Sequence, residues 1–543
     1  MSCDGVHTPA MAAGNFQDDK AVREGAAAAA AAAARDAADD AGDGEPDALS
    51  GLPDDVLLDI LGRLAAAGDV RTVARTSVLS RRWRPLPWHH ITTVSLDVGD
   101  FFADSAEWVP ARRQSRRRFG DQHRATAGLA GALVRFLAAP ASERVIETLA
   151  LKFVLTRCDY VRRIGDLVCW NHSLALLNSN IVGAAAAAGK VKAVELELVT
   201  EVQCVSRGEA ATMLGYGGRF RDFLADCPGA FRRLTSLTLD NLWSAGAAVL
   251  EELVRGCAAL EFLCLNFCGF VHLDAGQDVD DAPPAVVTID APRSRLKTLL
   301  FVQCCVERVK LVQAPALEWF QYAWWLFDFH GLPPVRFGST PSLRRLALFH
   351  GLEDGAKRWK LSELLANAGQ LERLTLGFIG MGQWQIWVQP EHPKELGAAL
   401  GGLKELKLLD MSPDCDLSWA LFLLEAAPLL ERIDLHVFNH ICRAEWRKKH
   451  GENMNLARRP SPGFVHHSLK KLTFHRAFHV CKDVPFARLL MEVAVNLETL
   501  TMGVEDLVCQ ACEAAELKFP DLARSRSRFA AGTVSTSMRS WRR

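Results

Sequence analysis

The feature that most constrains this chain is a recurring L-x-x-L-x-L pattern. It begins at Ile146, Val191, Leu234, Leu260, Leu296 and Leu317, and again at Leu343, Leu371, Leu403, Leu430, Leu469 and Leu497. The fourth and sixth positions of each copy share one face of an extended strand, because side chains alternate with period two. Burying one such leucine is worth roughly 1.5–3 kcal/mol. A single turn cannot cover its own apolar face, so neighbouring turns must do it. Twelve copies of one template therefore predict a stack.

Successive copies start 21 to 45 residues apart, which in most cases leaves room for one strand and one helix. Stretches with helical spacing precede several strands, at 223–227, 249–257, 360–369, 420–428 and 487–495. The expected class is α/β, an irregular leucine-rich-repeat solenoid curved into a horseshoe over residues 141–485. Outward strand positions carry scattered carboxylates such as Glu195, Glu372 and Glu405, and no Ser/His/Asp set or carboxylate pair is located among them. No catalytic residue is assigned.

Composition bounds the rest. At 543 residues the chain exceeds one ordinary core, 49% of it is apolar, and its formal net charge is −1. Nothing in that balance drives it toward nucleic acid or a lipid surface. No charge-free apolar run reaches the ~20 residues a membrane-spanning helix needs. The first twenty residues have neither a basic start nor an apolar signal core, so secretion is not expected and the cytosol or nucleus is. The fifteen cysteines lie mostly in apolar runs (Cys264, Cys268, Cys304), where a reduced thiol acts as a small hydrophobe. Residues 1–47, with the run Ala26 to Ala34, form an Ala-rich tail without a docking stripe, expected to be disordered.

Several stretches invite other chemistry and lack its full pattern. The run 183–190, GAAAAAGK, has five residues between its glycines, and Val191 stands where a phosphate loop needs Ser or Thr. Cys509 and Cys512 have the spacing of a zinc half-site, with His475, His479 and Cys481 as distant companions and no second pair. Cys304 and Cys305 read as core or loop residues. The basic runs 111–120 and 524–528 lack the interleaved aromatics of a single-strand binder. No metal, cofactor, nucleic acid or small-molecule ligand is indicated. The tryptophan-rich stretches 318–330 and 382–389 are candidate target anchors through Trp324, Trp325, Trp384 and Trp387; packing against the edge of the horseshoe is the competing reading.

Ahead of the repeats stands LSGLPDDVLLDILGRL, then VARTSVLSRRWRPLPWHH. Pro53 suits a first helical turn. Asp54 and Asp55 complement the positive end of the helix dipole, and Leu57, Ile60, Leu61 and Leu64 have the spacing of one helical face. A unit of ~40 residues is undersized for a core of its own. An undersized apolar cluster reads as an interface or as a cap on the first repeat.

Residues 52–64 and 69–88 resemble the F-box, the docking module of substrate receptors in SCF-type ubiquitin ligases. With the repeats behind it, the chain resembles plant-type F-box/leucine-rich-repeat proteins, and 486–502 resembles the FBD region of one subgroup. The resemblance implies a small N-terminal helical F-box (49–95), a connecting segment (96–140), the solenoid, an FBD-like terminal repeat (486–512) and a disordered tail (513–543). It implies docking to an SKP-family adaptor, and through it a cullin, by Leu52, Pro53, Val56, Leu57, Ile60, Leu61, Val73, Val78, Leu79, Ser80 and Trp83. The repeats would bind a target protein. The insertion at 64–70 departs from the family pattern, and a ligase-independent repeat scaffold is the alternative.

Overall fold

The structure, a computed structural model, describes residues 51–66, 92–102, 124–126, 128–129, 131–133, 146–155, 191–200, 210–226, 228–274, 279, 282–325, 332–350, 358–368, 370–378, 386–411, 416–437, 459–475, 480–504 and 532–537. In chain order, helix α1 (Asp54–Ala66) precedes strands β1 (Thr93–Asp97), β2 (Ile146–Leu155) and β3 (Val191–Thr200). Helix α2 (Ala210–Asp226), β4 (Leu234–Asp240), β5 (Trp243–Ala245), α3 (Ala248–Gly256), β6 (Phe262–Asn266) and β7 (Gly269–Val271) follow. Next come β8 (Val286–Asp290), β9 (Thr298–Val302), β10 (Arg308–Gln313), β11 (Trp319–Trp325), β12 (Val335–Ser339) and β13 (Arg345–His350). Then β14 (Trp359–Lys360), β15 (Arg373–Gly377), β16 (Val388–Gln389), α4 (Pro393–Leu400), β17 (Glu405–Met411) and α5 (Leu421–Ala426). The last are β18 (Arg432–Val437), β19 (Lys471–His475), α6 (Val480–Val493), β20 (Thr499–Val504) and β21 (Gly532–Ser537).

Fourteen strands form one open sheet, in the order β1-β2-β3-β4-β6-β9-β11-β13-β15-β17-β18-β19-β20-β21. All twelve leucine-pattern segments lie in it, in chain order. Every neighbouring pair is parallel except β20 and β21. The leucine pattern sets the register. Leu263, Leu299, Phe320, Leu346 and Leu374 pair in succession, and Leu406, Ile433, Leu472 and Leu500 continue the same row. The leading apolar residue opens the strand in the first three copies (Ile146, Val191 and Leu234) and stands two residues ahead of it at Leu260, Leu317, Leu403 and Leu469, buried in every case. A one-residue slip would expose the whole row, so the register is strongly specified. The result is a mixed α/β architecture with a large parallel sheet and no closed barrel, compatible with a solenoid.

Behind the sheet the expected strand-plus-helix turn holds for only some of the described turns. Helices α2, α3, α4, α5 and α6 fill some turns, but β8, β10 and β12 form a second, parallel three-stranded sheet across three others. The turn between Leu296 and Leu317 has only 21 residues, too few for two connections plus a helix of ordinary length. Its back segment, RVKLVQ, alternates apolar and polar residues and buries Val309 and Leu311. Gly338 in β12 lets the backbones close up: a Cβ there would lie 2.4 Å from the Val312 carbonyl oxygen. The helical stretch expected at 360–369 is a single turn, Leu361–Leu364, held by buried Glu391, whose carboxylate accepts from the Ser362 backbone N–H (2.9 Å) and hydroxyl.

Two cysteines tie neighbouring turns together. The Cys268 thiol donates to the Leu239 carbonyl (3.4 Å), and the Cys304 thiol donates to the Leu265 carbonyl (3.2 Å). Each stands three residues after the last inward position of its strand, where a buried donor meets the preceding turn.

Both ends of the sheet extend past the predicted repeats. Strand β1 pairs in register with β2, and Ala125, Leu129 and Leu133 join the core, so the segment 96–140, expected as a connection, contributes to packing. At the other end β21, inside the expected disordered tail 513–543, pairs antiparallel with β20. Its sequence, GTVSTS, is rich in β-branched residues, and pairing satisfies the edge that β20 would otherwise present.

Candidate functional site

Two surfaces follow from this fold. The first is α1. Its first backbone bond runs from the Leu57 N–H to the Pro53 carbonyl (3.1 Å), and the acidic Asp54 and Asp55 stand in its first turn with Arg63 in its last. Leu57 and Leu61, one helical turn apart, are fully buried in the cluster that also holds Val94 and Val98, with Leu64 and Leu52 packed against it. The helix rests on β1. Ile60, expected on the same face as Leu57, lies about 60° round the helix from it at 3.6 residues per turn and is only partly buried. Pro53 and Val56 are exposed. The helix thus has two apolar stripes: Leu57–Leu61–Leu64 inward, Pro53–Val56–Ile60 outward.

For the expected adaptor set this is a division. Leu57 and Leu61 are committed to the chain's own core and offer no area to a partner. Leu52 is half-buried against that core. Pro53 and Val56 are exposed, and Ile60 beside them is partly buried. Val73, Val78, Leu79, Ser80 and Trp83 lie outside the described residues.

Two of the four candidate tryptophan anchors lie in the core. Trp325 and Trp387 are fully buried, their rings meeting edge to face at 5.2 Å. They sit within a continuous run of ring contacts from Phe301 through Tyr322 to Trp325, Trp387, Phe378, Trp419 and Phe422. The Trp387 Nε1–H donates to the Gly377 carbonyl at 2.8 Å. Edge-to-face rings such as Trp325 and Trp387 add packing energy beyond their area, so these two indoles help hold neighbouring turns together. Trp324 belongs to β11, and Trp384 lies outside the described residues.

The second surface is the face of the sheet opposite the inward leucines. Over β1 to β4 it is acidic. Lys152 Nζ lies 2.7 Å from Glu197 Oε1 and 3.8 Å from Asp97 Oδ2, and Glu195 and Asp240 add carboxylates to the same face. Burial, then the nearby Glu197 carboxylate, push Asp240 up to about 6, against a hydrogen bond from Asn266 and the charge of Lys152. The centre, β6 to β11, carries no charge at its outward positions; Phe262, Leu300, Val302 and Trp319 are there. From β13 to β19 the face turns basic, with Arg345, Arg373, Lys407, Arg432 and Lys471 against Glu405 and Asp434.

One more charge pattern runs along the edge where the chain enters the strands. Glu261, Lys297, Glu318, Arg344, Glu372, Lys404, Glu431, Lys470 and Glu498 follow one another, each backbone N–H bonded to the carbonyl of the previous member at 2.8–2.9 Å. The carboxylates there, Glu372 among them, are therefore members of an alternating ladder and are not scattered. Close pairs include Lys297–Glu261 at 2.7 Å and, further back, Lys192–Glu147 at 2.5 Å.

Reactive chemistry is not assembled among the described residues. Cys257, Cys264, Cys268, Cys304 and Cys305 are free and buried, and burial pushes Cys257, Cys304 and Cys305 up to about 12 and Cys264 to about 11. Such thiols stay protonated and inert. No group of metal-ligating side chains occurs among the described residues, and no helix there is long and apolar enough to cross a membrane. The runs 111–120, 183–190, 509–512 and 524–528 lie outside them.

Comparison with known proteins adds one partial likeness. No family model matches the chain. A stretch of 66 residues is 47% identical to the meiotic F-box protein MOF of rice (Oryza sativa subsp. japonica), covering 12% of this chain and 13% of the rice protein. That local likeness supports an F-box protein, and it spans about an eighth of the rice protein's length.

Proposed function

We propose that the chain is a non-catalytic substrate receptor of an SCF-type ubiquitin ligase. In this reading α1 and the residues after it form an F-box that docks on an SKP-family adaptor, which carries a cullin, while the stacked turns form a leucine-rich-repeat horseshoe that holds a target protein. The observation that carries it is the two-sided α1: one stripe fixes the helix to β1, and a second, Pro53–Val56–Ile60, stays outward where a partner helix would bury it. The likeness to an F-box protein supports the same reading. Such a receptor needs no reactive side chain, since tethering alone raises the effective concentration of target and ubiquitin carrier.

The test is capture of a purified SKP-type adaptor by the full-length chain. Val56→Asp together with Ile60→Asp should abolish capture while the thermal midpoint holds; undiminished capture by that variant refutes the assignment. A second reading, a ligase-independent scaffold, is favoured by one observation: Leu57 and Leu61 are occupied within the chain. It predicts that the intact protein captures no adaptor, or captures adaptor without recruiting cullin.

A further inference from the structure

The two charge patterns of the sheet differ. Along the strand-entry edge every neighbour has the opposite sign, which favours stacking. On the outward face, Arg345 stands directly opposite Arg373 and Arg432 directly opposite Lys471. Like charges opposite one another on adjacent strands are destabilising. At the far end Glu197, opposite Thr238, lies diagonally across from Asp240, near enough for its carboxylate to oppose the ionisation of Asp240. Opposite-sign pairs also cross this face, Lys152 to Glu197, Arg373 to Glu405 and Lys407 to Asp434, yet carboxylates outnumber cations at the β1 to β4 end and cations outnumber carboxylates at the β13 to β19 end. That net polarity favours a ligand of the opposite polarity.

We infer that the outward face of the sheet binds an extended polypeptide segment laid across the strands, cationic where it crosses β3 and β4, apolar over β6 to β11, and acidic where it crosses β15 and β17. This deepens the target-holding half of the proposed function and rests on it. The β3/β4 crossing and the β15/β17 crossing are six strand intervals apart in the sheet order, about 29 Å at ~4.8 Å each. An extended chain at ~3.3 Å per residue covers that in about nine residues. Trp319 and Phe262 supply the partly exposed aromatic surface at the uncharged centre, the type of residue that anchors an interface core. A nucleic acid would match the basic end alone and be repelled by the other, so the bipolar face favours a polypeptide.

The experiment uses the full-length chain and three synthetic ten-residue peptides with blocked termini and fluorescent labels. All share a leucine- and phenylalanine-containing centre; one has lysines at one end and glutamates at the other, one has lysines at both ends, one glutamates at both. In anisotropy titrations at low salt the bipolar peptide should bind at least ten-fold tighter than either of the others. The Arg345→Glu, Arg373→Glu double variant should weaken it at least ten-fold and make the doubly basic peptide the tightest, a gain that a merely unfolded variant would not give. Equal affinity for all three peptides, an unchanged order of preference in the double variant, or displacement of the bipolar peptide by a single-stranded oligonucleotide overturns the inference. Adaptor capture by the same preparations separates the two levels. Capture without peptide preference sinks this inference alone, and peptide preference without capture sinks the ligase reading and leaves the face intact.

Discussion

Reversing one member of the alternating edge ladder tests whether it stabilises the stack. Glu372 lies between Arg344 and Lys404, bonded through the backbone to both at 2.8 and 2.9 Å, with its carboxylate 3.7 Å from Lys404 Nζ and both side chains about half exposed. At roughly 4 Å in water that attraction is about 1 kcal/mol by Coulomb's law, while the Arg344 guanidinium is bonded to the Pro341 carbonyl. Glu372→Gln removes the attraction to Lys404, a loss of about 1 kcal/mol at low salt. Glu372→Lys replaces it by a repulsion, so its loss should be about twice as large, about 2 kcal/mol. At ~0.15 M salt the Debye length of about 8 Å cuts both figures to roughly half, and measured exposed pairs, at ~0.2–1 kcal/mol each, argue for the lower end. Urea unfolding suits the measurement, since urea is uncharged and leaves the ionic strength free to vary. The order wild type, Glu372→Gln, Glu372→Lys should hold at low salt and contract as salt rises. A Glu372→Lys loss that does not change with salt refutes the electrostatic account, and a loss no greater than that of Glu372→Gln refutes the ladder.

Three further outcomes follow from the same geometry. Trp387→Ala should cost about 3–5 kcal/mol for the lost indole, and Trp387→Phe about 1–3 kcal/mol for leaving the buried Gly377 carbonyl without its donor; a change below about 1 kcal/mol for Trp387→Ala in denaturant unfolding would return the indole to the surface. His466 accepts from the Leu469 N–H at Nδ1 (3.1 Å) and meets the Ala427 carbonyl through Nε2 (3.0 Å), and burial holds its pKa below the usual 6.5. The unfolded chain therefore takes up a proton near pH 6.5 that the folded chain does not, so stability should fall as pH drops below 6.5, and His466→Gln should flatten that slope in thermal melts. Cys257, Cys264, Cys268, Cys304 and Cys305 should remain unlabelled by iodoacetamide in the folded protein and react in urea; labelling of Cys268 without denaturant would contradict the thiol tie to Leu239.

The strands were legible in the sequence because burial in a sheet has period two, and twelve leucine patterns repeat that period at one offset. What lies behind them was less so, since back segments of five or six alternating residues such as RVKLVQ are too short to separate helix from strand by periodicity. Trp325 could have been placed. It follows Tyr322 by three residues, as Cys268 follows Leu265 and Cys304 follows Phe301, and that offset points inward in all three turns. The exposed stripe of α1 needed the angular difference between Ile60 and Leu61, which spacing alone does not fix until β1 shows which side is covered. The outward face was the least legible part, for a reason inherent in the pattern. A template that identifies strands by their inward leucines says nothing of the x positions between them. Only the register puts Arg345 beside Arg373 and Arg432 beside Lys471. Residues 28 or more apart in sequence become neighbours through that register, so the like-charge pairs that argue for a ligand exist only once the strands are stacked.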